Sequence, residues 1–295
     1  MMALPAACFG TLRADINRDG RVDLADLTIL ASEWLCEETI MGNIVAAANG
    51  NWSAAETWVG EVVPQDGDTV YLDGKTVVLD SVIVPATGTL TAIYSGTAAT
   101  PIGAGKISVT NAGKTVNCTN AYAGTVALFN LSFSDGLFTF NGIVTGGSEI
   151  SAFGISLGLN EQVIVNGNAI GGSGAGANGV NNGNWGSVYV NTAIGGSGAD
   201  AFGVYNGRGN ISADTVIGGT AEGAYGLYND NAGDVEISGN VTAGTAPNII
   251  AVYNAETGSV FIGGEVGTTT DPHDAFYPLD GYNKDSKKRS GEWSW

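Results

Sequence analysis

Six residues near the start of the chain have the types and the spacing to hold a hard cation. Asp15, Asn17, Asp19, Asp23 and Asp26 carry oxygen side chains, and Arg21 would contribute its backbone carbonyl. Counted from Asp15 they fall on the ligand places of a calcium loop, with Gly20 where the chain must turn sharply. The chemistry this predicts is Ca2+ binding. A helix is expected directly after the loop, because Leu24, Leu27, Leu30 and Trp34, with Ile29 and Leu35 flanking, form one apolar stripe. Cys8 and Cys36 bracket the segment, and a disulfide between them would staple a module too small to hold itself together. Such a bond needs an oxidising compartment.

The last ligand place departs from the general EF-hand pattern, since Asp26 stands where a longer Glu usually closes the site. Asp there, followed by "LTILASEWL", resembles the calcium-binding repeat of type I dockerins, over residues 14–35 only. Complete dockerins carry a pair of such repeats and bind cohesin domains. The acidic stretches "YNDNAGDVEISGN" and "LDGYNKDSKK" lack the spacing and the glycine, so no second copy is found. A calcium-stapled module is therefore expected ahead of a cohesin-like or cell-surface docking role.

Other chemistry is thin. His273 is the single histidine, and no second His or paired Cys supports a relay. Polysaccharide cleavage would need clustered carboxylates, and a lyase would also need an Arg or Lys base. Glu149, Asp200, Asp214, Glu222, Asp234 and Glu236 occupy different places in the repeat described below, and Arg208 is the lone basic residue between Lys114 and Lys284. No catalytic set is assigned. Tyr205, Tyr228 and Tyr253 recur at matching places, so they should form an outward column that either meets sugar rings or simply stacks.

The elements that position these residues follow from a repeat. The segments "VTGGS", "AIGGS", "AIGGS", "VIGGT", "VTAGT" and "VGTTT" recur at steps of 25, 24, 23, 25 and 25 residues. "FGIS", "NGVNN", "FGVYN", "YGLYN" and "AVYN" keep the same step, as do "QVIV", "SVYV", "NISA", "DVEI" and "SVFI". The fold class predicted is all-β: a parallel β-helix, or β-solenoid, of ~24-residue three-strand coils stacked at ~4.8 Å, behind the small calcium loop–helix module. About ten coils over residues 45–280 would give a rod roughly 45–50 Å long at that spacing. A β-sandwich or barrel needs no such repeat and ranks behind.

Alternation assigns the faces. Val180, Val204, Leu227 and Val252 should point inward, and Asn181, Tyr205, Tyr228 and Tyr253 outward. Asn182, Asn206, Asn229 and Asn254 should form an asparagine ladder at a bend, where Asn tolerates left-handed backbone. The glycines around 171–172, 195–196 and 218–219 should allow either tight packing or positive φ at another corner. Cys118, in the strand-like "TVNCTN", is expected to be a buried small hydrophobe.

The organisation expected is a dockerin-like half-repeat over 1–40, a cap and first strands over 41–80, the β-helix over 81–280 and a basic tail over 281–295. In that tail Lys284, Lys287, Lys288 and Arg289, with Trp293 and Trp295, are either a solvated end or a contact strap. The stretch from Gly50 to Asp80, "GNWSAAETWVGEVVPQDGDTVYLDGKTVVLD", resembles the opening segment of bacterial surface and phage structural proteins that continue as β-helices.

The net charge of −18 argues against nucleic acid, and no apolar run is long enough for a membrane span. The start "MMALPAACFG" fits the tail of a signal peptide, a lipoprotein-type box, a linker or a native start. The reading these features support is an extracellular or cell-surface, non-enzymatic structural or adhesive protein with possible self-association. The alternatives are a carbohydrate-binding or polysaccharide-degrading β-helix and a phage tail or decoration protein.

Overall fold

A computed structural model describes residues 42–230, 233–242, 244–245, 251–254, 259–267 and 276–277. The predicted calcium ligands, Cys8, Cys36, His273 and the basic run from Lys284 to Arg289 lie outside the described residues.

Among the described residues from Asn43 to Tyr277 the chain winds as a parallel β-solenoid, with almost no helix. Among the described residues every strand pairing is parallel, and each coil hands its strands to the next in one of two sheets. One path of ten strands runs from Asn43–Val45 through Glu161–Ile170 to Ser259–Ile262. The other, also of ten, runs from Gly50–Asn51 through Val180–Asn182 to Phe276–Tyr277. The repeat works because one coil cannot bury its apolar face alone, whereas stacked coils enclose a common core.

The three expected strands per coil are partly fused. In Gly136–Thr145 and Glu161–Ile170 the "QVIV"-type and "AIGGS"-type segments are one long kinked strand. Only later do they separate, as Asp234–Ile237 and Val241–Thr242. The kink sits where the pairing slips, between Asn141 and Ile143 and between Val165 and Asn168. Gly142 takes it at φ 139°, and a Cβ there would lie 1.7 Å from the Cys118 carbonyl oxygen. Only glycine suits that position.

The core is continuous. Val180, Val204, Leu227 and Val252 are in direct register and fully buried, and their successors Asn181, Tyr205, Tyr228 and Tyr253 are half-buried on the outside. The glycine pairs at 171–172, 195–196 and 218–219 do not use positive φ. They are there for closeness: a Cβ on Gly172 would sit 2.0 Å from the Gly147 carbonyl oxygen, and one on Gly196 2.2 Å from that of Gly172. Cys118 is buried inside the stack, and burial pushes its thiol up to about 12. No helix among the described residues is long and apolar enough to cross a membrane.

Candidate functional site

The sequence-predicted side chains converge on the short Val-X-Asn strands of the second sheet. These are Val180–Asn182, Val204–Asn206, Leu227–Asn229 and Val252–Asn254. Each strand has only three residues, so its first and third point inward and its second outward. Parallel in-register stacking then places like on like.

Inside, the asparagines form a hydrogen-bonded chain. Asn182 Nδ2 donates to Asn206 Oδ1 at 2.8 Å, Asn206 to Asn229 at 2.7 Å, and Asn229 to Asn254 at 2.6 Å. The second proton of each amide closes the corner that follows, on the carbonyls of Gly186, Gly209 and Gly233. Gly209 N–H also donates to Asn206 Oδ1. Buried amides are costly unless paired, and the column supplies each with its neighbour. The backbone differs from the expected left-handed bend: all four residues end strands, and none has positive φ. After Asn182 and Asn206 the bend lies just beyond, in glycine-containing turns.

The ladder has a base. Asn182 is in register with Leu157 in the preceding coil, and its Oδ1 has no hydrogen-bond partner. In that preceding coil the same corner is closed from its other side. Glu161 is buried, and its carboxylate accepts from the N–H of Gly158 and from that of Phe133 at 3.1 Å. Burial raises its pKa, against the lowering effect of those two N–H groups. A second amide chain runs elsewhere: Asn166 Nδ2 donates to Asn141 Oδ1 at 2.8 Å, and Asn141 to Asn117 at 2.7 Å. Glu161 occurs once and so leaves no repeat signal, whereas Asn117, Asn141 and Asn166 fall at steps of 24 and 25, and that spacing was the signal available.

Outside, Tyr205, Tyr228 and Tyr253 stack with centroids 5.7 and 4.3 Å apart and rings within 13° of parallel. Phe202 and Tyr225 join them, Phe202 lying 4.6 Å from Tyr228 and 5.8 Å from Tyr225. These two precede the marked tyrosines in "FGVYN" and "YGLYN", which was the available signal. Tyr205 donates to Asp230 Oδ2 at 3.1 Å. Burial, then the neighbouring Tyr253 and Asp230, raise the Tyr228 pKa, and burial and Asp230 raise that of Tyr205. A further column, Tyr71–Tyr94–Tyr122, stacks at 5.3 and 4.9 Å in the other sheet.

These aromatic faces are spent on each other. A sugar ring packs on an open aromatic face, whereas a column of near-parallel rings presents mainly edges and hydroxyls to solvent. Two of the six acids singled out in the sequence, Asp214 and Asp234, are likewise engaged along the rod. Asp214 accepts from Tyr189 at 3.1 Å and from Ser238 at 2.9 Å, and Asp234 accepts from Ser259. Two shallow recesses, of about 360 and 300 Å³, are lined by neither a carboxylate nor a histidine. Among the described residues no group of His, Cys, Asp or Glu side chains could hold a metal ion.

No known protein family matches the chain, and no curated protein or solved structure is significantly similar to it.

Proposed function

We propose that this protein is an extracellular, non-enzymatic structural or adhesive rod, carried behind a calcium-binding module at its start. The observation that carries the reading is the mutual saturation of its repeated polar and aromatic groups. The asparagine chain bonds mainly to itself and to its own corners, and the tyrosine column covers its own faces. Groups arranged this way stiffen a rod and leave few free partners for a substrate. The module rests on the spacing of Asp15, Asn17, Asp19, Arg21, Asp23 and Asp26.

The test is a panel of neutral and acidic polysaccharides incubated with the purified full chain in calcium. Reducing ends and unsaturated-product absorbance are the readouts. No turnover is expected on any of them, and turnover of any one would overturn the reading. Calorimetry with calcium addresses the module separately: Asp15→Ala and Asp19→Ala should each abolish the binding heat, and an unchanged heat would remove the metal site.

A further inference from the structure

The corners following Val180–Asn182 and Val204–Asn206 are rich in glycine. Gly183, Gly186, Gly207 and Gly209 line them over two coils, and a Cβ on Gly209 would lie 1.6 Å from the Gly186 carbonyl oxygen. Side chains large enough to stand out are therefore conspicuous, and Trp185 is the largest. It is 59% exposed, whereas the other described tryptophans, Trp52 and Trp58, are 2% and 1% exposed. Leu159, in the coil before, is 57% exposed.

Arg208, one coil further on, holds its guanidinium carbon 5.8 Å from the centre of the Trp185 ring. It is exposed, and among the described residues it has neither an ion pair nor a hydrogen bond, although the chain carries 29 acidic residues against 11 basic. A guanidinium resting on an indole is oriented without using its N–H groups. All of its donors remain free, in the fork geometry that matches a carboxylate. Beside them lies an aromatic surface that, unlike the tyrosine columns, is not covered by another ring.

We propose that Trp185 and Arg208 form a binding site for a carboxylated sugar ring, a uronate residue of an acidic glycan. The indole face turned away from Arg208 takes the C–H face of the pyranose, and the guanidinium, reaching past the ring, takes the carboxylate. A neutral sugar would leave Arg208 unused. The net charge of −18 does not forbid a short acidic ligand, since fields from more distant acids fade within about 8 Å at physiological salt. Asn184, whose amide reaches the Gly158 carbonyl at 3.4 Å, ties the Trp185 turn to the coil before it.

The experiment is calorimetric titration of the full chain with a short oligogalacturonate, in chelator so that calcium bridging contributes nothing. The uncharged galactose oligomer of the same length is the control. Saturable binding of the oligogalacturonate is expected, with the neutral oligomer at least about tenfold weaker, as loss of a charge-assisted pair implies. Trp185→Ala should abolish binding, and Arg208→Gln should weaken it about tenfold or more. Both side chains are exposed, and unchanged thermal melts will show that the variants fold. Absence of saturable binding, wild-type binding in either variant, or equal affinity for the neutral oligomer would each overturn the site. The rod reading stands or falls separately, on turnover.

Discussion

The coils before residue 160 and those after it solve the same packing problem differently. The early coils fill their interior with large individual side chains. Leu72, Leu79, Leu90, Leu128, Phe129, Phe138 and Phe140 are all fully buried, and Phe129 packs 5.6 Å from Phe138 and 5.3 Å from Phe140. The later coils are lined by Val163, Val165, Ala169, Val188, Val190, Ala193, Ala213 and Val216, with the asparagine chain at one corner. Where successive coils keep the same length, identical small residues stack and an amide can meet its copy. Where coil lengths vary, each level meets a different neighbour, and bulky side chains fill what repetition cannot.

Glu161 marks the boundary. Below it a carboxylate closes the corner, and above it an amide does. The unpartnered Oδ1 of Asn182 is the trace of that change, since Leu157 offers it nothing.

If the early core rests on single large residues, Phe138→Ala should have the largest effect, about 3–5 kcal/mol. Hydrogen exchange should then rise mainly in the coils near 129–165, because repeat proteins open locally. A rise spread evenly over the rod would break the comparison. In the later coils Asn206→Ala removes two inter-amide bonds and uncovers Gly209 N–H, so a loss of about 2–3 kcal/mol is expected. Exchange should rise around Asn182 and Asn229 and not around Phe138. Glu161→Gln sets a donor against one of two buried N–H groups and should cost about 1–3 kcal/mol, read from denaturant melts. A neutral outcome would mean that the boundary needs no carboxylate.

The smallest effect is on the outer column. Tyr228 holds its proton above the ordinary tyrosine value, so between about pH 10 and its own higher value the unfolded chain ionises and the folded one does not. Stability is therefore complete below about pH 10 and declines above it. Tyrosinate absorbance should show a fraction of tyrosines titrating late in the native protein, and Tyr228→Phe should reduce that fraction. A single ordinary titration would remove the column's electrostatic coupling.

The later coils were legible in the sequence because their period is nearly constant. A constant step means that residues of one type fall in one column, and alternation then separates Val204 from Tyr205 without any coordinates. The early coils gave only strand-like runs. Tyr71, Tyr94 and Tyr122 fall at uneven steps of 23 and 28, so they could not be seen as a column, whereas the steps of 24 and 25 between Asn117, Asn141 and Asn166 were a signal that the marker segments did not include.

Sequence alone determined the fold class, the inward and outward sets of the later coils, and the asparagine column. All of these depend on recurrence, which a one-dimensional pattern carries in full. Tertiary structure decided that two of the three expected strands fuse across a kink at Gly142, and that Glu161 ends the ladder. It also decided that Arg208 lies over Trp185. Each of these depends on which residues of unequal coils come to lie above one another. That register is set by loop length and packing, and no residue carries it alone.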